Sequence, residues 1–288
     1  MSAVVTRFAP SPNGWLHAGH ALSALTAFDI AQRNGGRFVL RIEDIDVARR
    51  RPEYVAAIYD DLAWLGLTWQ EPVLVQSEHF TEYLAAADKL IAMGLLYPCF
   101  ASRAEIDAAA DPALVDPDGA PIYPGLWKKV AAEEIKNRLE SGDTPALRLD
   151  MDAAMAALRA KIGEMPLTFT EIDEGGVART LRAEPERWGD TVIVRKDVPA
   201  SYHLAVVVDD ARQGVTHVTR GQDILPATGL HRLLQVLLGL PEPVYSHHRL
   251  IRWSDGRKLS KSSGDMGLRS LRQEGASAED LKRAIGFS

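Results

Sequence analysis

Two histidines stand three residues apart in the segment His17-Ala18-Gly19-His20, after a turn that contains two prolines and a glycine. The pattern predicts that a helix begins here, and residues three apart share one side of its first turn. The N–H groups and positive dipole end of a helix N-terminus bind phosphate, so the pair could stabilise a phosphate group. Taken alone, the pair is more typical of a protein surface. No third ligand for zinc lies near it in the sequence.

A second candidate is the segment Lys258-Leu259-Ser260-Lys261-Ser262, which follows Asp255-Gly256-Arg257. Two lysines and an arginine on a loop rich in serine and glycine could close over a triphosphate. There they would stabilise the charge that develops during a transfer reaction. A solvated basic loop is the ordinary alternative for so short a charged stretch.

The elements around the two histidines predict a βαβ unit. Residues 4–8 read as a buried strand, a helix follows from about Leu16 to Gly35, and residues 37–43 read as the next strand. This order implies parallel strands joined by a right-handed crossover. The sequence therefore predicts an α/β fold in which the histidines follow the first strand.

The α/β pattern returns in the second half of the chain. Apolar runs at residues 191–194 and 204–208 are predicted to be strands covered on both faces of a sheet. A strand at 215–219, a helix at 226–238 and a last strand at 244–245 follow. Residues 101–188 between the halves are rich in turns and alanine, and we expect them to form a mixed α/β insertion.

Composition limits the class of protein. The chain has 288 residues, enough for one large domain or two smaller ones, and no apolar stretch long enough to span a membrane. The formal net charge of −6 lowers the expectation of a nucleic-acid partner without removing it, because basic residues can cluster on one face. The N-terminus lacks a signal-peptide pattern, and the single cysteine, Cys99, excludes an intramolecular disulfide. We expect a cytoplasmic monomer that does not bind membranes.

Together, the two candidate segments resemble the signatures H-I-G-H and K-M-S-K-S of the class I aminoacyl-tRNA synthetases, with Ala18 for Ile and Leu259 for Met. Three further segments resemble the glutamyl and glutaminyl branch of that family, namely residues 7–12 (RFAPSP), 41–46 (RIEDID) and 65–69 (LGLTW). The similarity runs from residue 4 to about 100 and again from about 188 to 263.

The resemblance implies the Rossmann-like parallel sheet of a class I synthetase, interrupted by a mixed α/β insertion. The catalytic domain would comprise residues 1–100 and 189–250, and residues 101–188 would form an acceptor-binding subdomain. Residues 251–288 would hold the K-L-S-K-S loop and a short helical segment, with no anticodon-binding domain.

A pocket for an amino acid is also implied. In this branch the arginine matched by Arg7 binds the carboxylate of the amino acid, and Ala9 and Ser11 line the same pocket. The residue matched by Glu43 holds the α-ammonium group. Bidentate pairing is the physical reason that an arginine serves a carboxylate.

Two residues from the second half complete that implied pocket. Tyr202 resembles the family tyrosine that packs on the substrate, and Arg220 resembles a second carboxylate-binding arginine. Two arginines around one side-chain carboxylate favour glutamate over glutamine, because a neutral amide would leave a desolvated cation.

ATP with Mg²⁺ is the second substrate that the resemblance implies. His17, Gly19, His20 and Lys261 would bind ATP. The catalytic residues would be His17, His20, Lys258 and Lys261, which would stabilise charge as the glutamate α-carboxylate attacks the α-phosphorus. The products would be glutamyl-adenylate and pyrophosphate.

The chain ends soon after Lys261, and in this it resembles the truncated glutamyl-queuosine tRNA(Asp) synthetases. Members of that family activate L-glutamate without tRNA and transfer it to queuosine in the anticodon loop of tRNA(Asp). The alternatives are a truncated glutamyl-tRNA synthetase that charges a tRNA 3′ end and a non-catalytic synthetase-like regulator. A nucleotidyltransferase or small-molecule ligase of the H-x-G-H type is disfavoured by the two branch motifs RFAPSP and RIED.

Many members of this truncated family carry a zinc site formed by C-x-C, a tyrosine and a further cysteine four residues later. The matching positions here hold Cys99, Ala101, Tyr123 and Trp127, so two thiolates are missing. Cys99 and Tyr123 alone cannot complete a tetrahedral site. We therefore expect no zinc.

Overall fold

A computed structural model describes residues 3–251 and 267–287. The strands are β1 (Val5–Phe8), β2 (Arg37–Ile42), β3 (Gln70–Val75), β4 (Leu96–Cys99), β5 (Ala146–Leu149), β6 (Thr168–Ile172), β7 (Ala178–Arg182), β8 (Val192–Val194), β9 (His217–Gly221) and β10 (Val244–His248). The helices are α1 (Ala18–Arg33), α2 (Pro52–Trp64), α3 (Phe80–Ala92), α4 (Arg103–Ala109), α5 (Ala132–Glu140), α6 (Met151–Ile162), α7 (Tyr202–Arg212), α8 (Ala227–Leu238), α9 (Leu268–Gln273) and α10 (Ala278–Ala284). No helix in this part of the chain is long and apolar enough to cross a membrane.

The main sheet has the strand order β3-β2-β1-β9-β10-β6-β7, and all neighbouring pairs except β6–β7 run parallel. The expected βαβ unit is confirmed, because β1 and β2 pair in parallel with Arg7 opposite Val39, and α1 connects them. The predicted α/β fold with a mostly parallel sheet is therefore confirmed.

A second, antiparallel sheet contains β4, β5 and β8 in that order. The predicted strand at residues 191–194 lies here, as β8, rather than in the main sheet. The hairpin of β6 and β7 joins the main sheet beside β10, where Glu171 pairs with Tyr245. Residues 101–188, expected from the sequence to be an insertion, thus contribute strands to both sheets.

The predicted strand at residues 204–208 is wrong, because this apolar run lies inside helix α7. Ser201 caps the helix, its hydroxyl accepting the N–H of Leu204, and Gly214 follows the helix end with a φ of 66°. The run is continuous because α7 packs against both α3 and α8, so that most of its circumference is buried. A helix buried on nearly all sides loses the polar face that normally distinguishes it from a buried strand.

Two hydrophobic clusters cover opposite faces of the main sheet. Alternate residues of β2 divide between them: Phe38, Leu40 and Ile42 pack with α1 and α2, whereas Val39 packs with the cluster that holds α3, α6, α7 and α8. This division follows from the pleat, which points successive side chains to opposite faces. The C-terminal helices α9 and α10 bury Leu268 and Leu281 in the cluster of α1.

Candidate active site

A cavity of about 450 Å³ opens at the carboxyl ends of β1, β2, β9 and β10. Its position lies where β1, paired with β2 on one side, meets β9 on the other, which is the usual place for ligands in an open parallel sheet. The sequence-predicted residues that line the cavity are Arg7, Ala9, Ser11, His17, Gly19, His20, Glu43, Tyr202 and Arg220. Lys258 and Lys261, the other two predicted site residues, lie outside the described residues.

His17 and His20 form the N-terminal cap of α1. The Nδ1 atom of His17 accepts the N–H of Gly19 at 3.1 Å, and Nδ1 of His20 accepts the N–H of His17 at 3.1 Å. The ring centroids are 3.9 Å apart. Because each Nδ1 accepts a hydrogen bond, each neutral ring carries its proton on Nε2 and is a donor there. The cap thus fixes the tautomer of both rings.

Gly19 makes room for the ring of His17. A Cβ atom at position 19 would lie 3.0 Å from Cε1 of His17 and 3.2 Å from its Nδ1. Such contacts are tighter than ordinary van der Waals separation, so a side chain here would displace the ring from its cap. The sequence suggests that the glycine leaves space for a ligand against the backbone. The structure shows that the ring of His17 lies where a side chain at position 19 would be.

Arg7 is buried and is held by two acceptors. Its Nε donates to Oδ1 of Asp210 at 3.0 Å, and its Nη1 donates to the carbonyl oxygen of Thr219 at 3.0 Å. The same Asp210 oxygen accepts Nη2 of Arg41 at 2.7 Å. Burial would raise the pKa of Asp210, but the charges of Arg7 and Arg41 outweigh it and lower the pKa. Asp210 is therefore an anion that aligns two guanidinium groups.

Glu43 follows β2 and lies beside the same group of charges. Its Oε1 is 3.3 Å from Nε of Arg41, whose side chain is fully buried. Burial raises the pKa of Glu43, and the charges of Arg41 and Arg7 oppose that rise. The site thus combines anionic and cationic groups within one cavity, as a zwitterionic ligand requires.

Arg220 is held without a carboxylate among the described residues. Its Nε donates to Nε2 of His247 at 3.1 Å, Nη1 to Nδ1 of His231 at 3.1 Å, and Nη2 to the hydroxyl of Thr228 at 2.7 Å. Three of its five N–H groups are used in this way, which leaves one on each terminal nitrogen without a partner in the described part of the chain. Two such N–H groups suit a bidentate anionic ligand.

Tyr202 begins α7 and faces the cavity edge-on to His203 and His231, with ring centroids 5.4 and 5.6 Å apart. Burial raises the pKa of Tyr202, so its hydroxyl is neutral. Ala9 and Ser11 follow β1, where the chain turns toward α1. Their small side chains leave the cavity open beside Arg7.

Sequence reasoning missed the residues that hold the two arginines, namely Asp210, Thr228, His231 and His247. They lie on α7, α8 and β10, in segments where the sequence analysis recognised no motif. Of these four residues, Asp210 is the one that sequence signals could have placed, because the N-cap at Ser201 and the glycine at 214 indicate a helix that ends near it. The histidines carried no signal of their own.

Cys99 lies at the position that the sequence analysis compared with a zinc site. Its thiol is buried and lies 3.3 Å from the hydroxyl of Tyr123, which also accepts the N–H of Trp127. No group of three or more potential metal-ligating side chains occurs within residues 3–251 and 267–287. The residues present at this position do not fit a tetrahedral zinc ion, and the absence of zinc in the protein stays a prediction.

Comparison with known proteins identifies the class of the protein. The family model described as the catalytic domain of class I tRNA synthetases for E and Q matches residues 3–286. The crystal structure of glutamate-tRNA synthetase from Elizabethkingia anophelis superposes with a TM-score of 0.73 at 28% sequence identity, over 92% of this chain and 54% of that one. The present chain thus spans about half the length of that synthetase and is a class I synthetase catalytic domain.

Two curated relatives match over nearly the whole chain. The glutamyl-Q tRNA(Asp) synthetase of Rhodobacter capsulatus is 46% identical over 99% of this chain and 100% of its own length. A protein of the same name from Symbiobacterium thermophilum is 41% identical over 98% of this chain and 85% of its own length. The chain belongs to the glutamyl-Q tRNA(Asp) synthetase family, and it is a ligase of the aminoacyl-tRNA synthetase type.

Proposed function

We propose that this protein activates L-glutamate with ATP, without tRNA, and transfers the glutamyl group to queuosine in the anticodon loop of tRNA(Asp). The observation that carries the proposal is that Arg7, Arg220, Glu43 and the paired histidines of α1 line one cavity. It is supported by the names of the two relatives that match over nearly the full chain.

Charge argues for glutamate as the amino acid. Arg7 and Arg220 are both buried, and each keeps N–H groups that no described residue accepts. A side-chain carboxylate would accept from them, whereas the amide of glutamine brings no charge and would leave Arg220, which no carboxylate of the described residues contacts, without a counter-ion. Glu43 is the anion that would receive the α-ammonium group.

The nucleotide would bind across the N-terminus of α1. In the activation step, an oxygen of the glutamate α-carboxylate attacks the α-phosphorus of MgATP in line, and the bond to the bridging oxygen of pyrophosphate breaks. The Nε2–H groups of His17 and His20 would stabilise the charge that grows on the phosphoryl oxygens. Lys258 and Lys261, which lie outside the described residues, would act on the same charge from the K-L-S-K-S loop.

The acceptor separates the proposed function from the nearest alternative. The structural match to a glutamate-tRNA synthetase favours a 3′ end, whereas the two near-full-length relatives favour the queuosine base of tRNA(Asp). We prefer the base, because these two relatives match nearly the whole chain at 46% and 41% identity. We expect the protein to act as a monomer in the cytoplasm, a reducing compartment that suits its single cysteine.

Glutamate-dependent exchange of labelled pyrophosphate into ATP, measured without tRNA, tests the activation step. We expect exchange with glutamate and far less with glutamine. Exchange that starts only when tRNA is added would contradict tRNA-independent activation. Equal exchange with both amino acids would contradict the charge argument.

A further inference from the structure

The partners of Arg220 form a connected set of side chains that the family motifs do not include. His247 stands opposite Arg220 in the parallel pair β9–β10, and His231 lies one turn beyond Thr228 on α8. Nε2 of His231 is 3.1 Å from Nδ1 of His203. Two imidazoles and a hydroxyl thus contact one guanidinium, and a third imidazole, that of His203, lies behind His231.

Arginine fixes the proton positions of its neighbours, because a guanidinium only donates hydrogen bonds. Nε2 of His247 must present its lone pair to Arg220, so its proton lies on Nδ1. Nδ1 of His231 must likewise accept from Arg220, so His231 donates from Nε2 to Nδ1 of His203. Burial, together with the charge of Arg220, lowers the pKa of His231 and of His203, the latter to about 4.

Glu171, on β6, holds His247 at two points. Its Oε1 accepts the backbone N–H of His247 at 2.9 Å, and its Oε2 lies 2.8 Å from Nδ1 of the same residue. Both contacts need an acceptor at position 171. A carboxylate supplies two acceptors, whereas an amide supplies only one.

We propose that Glu171 is a positioning residue for amino-acid selectivity: through His247 it keeps an acceptor facing Arg220, and so holds this guanidinium ready for an anionic side chain. The inference rests on the proposed role of Arg220 in glutamate binding. It adds a residue from the 101–188 segment to a site otherwise built from the two halves of the sheet.

The series of contacts from Glu171 through His247 to Arg220 lets an anion orient Arg220 without using the N–H groups that a ligand needs. A carboxylate in direct contact would take a pair of guanidinium N–H groups, which a ligand would then have to displace. Glu171 instead lies one imidazole ring away, and the two remaining terminal N–H groups stay available to the cavity. The geometry therefore favours an arginine that is fixed in orientation yet open to substrate.

Glu171→Gln is the direct test, because glutamine cannot accept from both donors of His247. If its oxygen accepts the backbone N–H, its amide N–H₂ faces Nδ1 and drives the ring proton to Nε2, against Arg220. The other orientation opposes the backbone N–H. We expect the KM for glutamate in pyrophosphate exchange, measured with tRNA present, to rise roughly tenfold with kcat within about threefold of wild type. The preference for glutamate over glutamine should fall by a similar factor.

Glu242→Gln is the matched control. Glu242 pairs with Arg232 of α8 at 2.6 Å, and neither residue lines the cavity, so this change also removes a carboxylate beside β10 and α8. We expect it to alter thermal stability but neither KM nor selectivity. Arg220→Gln provides the upper limit of the effect, because it removes the guanidinium itself.

A double-mutant cycle distinguishes positioning from a general structural role. The side chain introduced by His247→Gln would carry its own acceptor toward Arg220. In that background, the change Glu171→Gln should therefore raise KM by less than about twofold. Effects that multiply, or an unchanged KM and selectivity in Glu171→Gln alone, would overturn the proposal. If wild type itself fails to activate glutamate, it is the proposed function that fails.

A second pair of variants keeps the test open if Glu171→Gln does not fold. His247→Gln retains an acceptor for Arg220, whereas His247→Leu retains none. We expect the KM for glutamate to be roughly tenfold higher in His247→Leu than in His247→Gln. Equal values would overturn the proposal.

Discussion

Asp210 accepts hydrogen bonds from Arg7 and Arg41 through a single oxygen, at 3.0 and 2.7 Å. All three side chains are buried, so each charge depends on the others for compensation. Removing one charge from such a group leaves the rest unpaired. Arg7 should therefore lose its orientation when Asp210 is made neutral.

Asp210→Asn should raise the KM for glutamate by roughly tenfold, because Arg7 loses a charge-assisted hydrogen bond that aligns it with the cavity. Folding stability should also fall, by about 3–5 kcal/mol, since a buried ion pair is broken from one side. Pyrophosphate exchange kinetics and thermal melting measure the two effects separately.

Asp209→Asn is the control for that variant. Asp209 is the neighbouring buried carboxylate on α7, and its Oδ2 accepts from the hydroxyl of Tyr83 and from Nε2 of Gln76, outside the cavity. Its replacement should lower stability while leaving the KM for glutamate within about threefold of wild type. A KM that responds equally to both changes would show that Asp210 has no special link to Arg7.

Nine of the residues that line the cavity could be named from sequence motifs and the family resemblance, but the side chains that hold the two arginines could not. Arg7, Glu43 and the two histidines of α1 lie in short motifs whose spacing is visible in one dimension. Their partners join them only when the sheet forms: Asp210 is 203 residues from Arg7. Nothing in the local pattern around His231 on α8 or His247 on β10 indicates a contact with Arg220.

At the scale of elements, α1 begins with a cap that also presents two imidazoles to the cavity. A histidine N-cap is unusual, because Ser, Thr, Asp and Asn are the common residues there. The structure explains it through the reciprocal pair in which His20 accepts the N–H of His17. One motif thus stabilises the helix and fixes the tautomers needed at the site.

His17→Asn should separate these two roles. Asparagine is a good N-cap, so the free energy of unfolding should change by no more than about 1 kcal/mol. The Nε2–H donor is lost, and the rate of adenylate formation should fall by roughly 10²–10³ if it stabilises the transition state. Normal exchange activity in a stably folded His17→Asn protein would show that the histidine is only a cap.

Helix α7 shows where sequence patterns fail at this scale. The run Leu204 to Val208 has the composition of a strand that is covered on both sides, and its burial between α3 and α8 removes the polar stripe of an ordinary helix. A strand that ended at Val208 would place Asp210 in a loop, so the incorrect strand prediction gives no reason to expect Asp210 at the site. The βαβ unit was predictable because α1 has Gly35 and Gly36 at its end and a strand directly after it.

At the scale of the whole molecule, the buried histidines make stability depend on pH. The pKa of His203 lies at about 4, lowered from its ordinary value of 6.5 by burial and then by the charge of Arg220. A group with a lowered pKa contributes its full stability above the unfolded value and loses it as the pH falls toward the folded value. The folded protein should therefore lose stability between pH 6.5 and 4.

His203→Asn should remove part of this dependence, since asparagine keeps an acceptor for His231 but does not titrate. When the pH is lowered from about 7 to about 4, the unfolding free energy of wild type should fall by on the order of 3 kcal/mol more than that of the variant. Burial raises the pKa of Asp61 to about 6, so this residue makes the folded protein more stable as the pH falls. Asp61 is present in both proteins, so its contribution cancels in the comparison. A difference that stays constant with pH would contradict the assignment of a neutral, partly buried His203.

The acceptor of the glutamyl group distinguishes the proposed transfer to queuosine from the charging of a tRNA 3′ end. Labelled glutamate and ATP would be supplied with tRNA(Asp) that carries queuosine and lacks its 3′-terminal adenosine, beside intact tRNA(Asp) without queuosine. We expect label on the truncated queuosine tRNA and none on the intact tRNA without it. Label that requires the 3′ end and ignores queuosine would contradict the account and identify the protein as a synthetase that charges tRNA in the ordinary way.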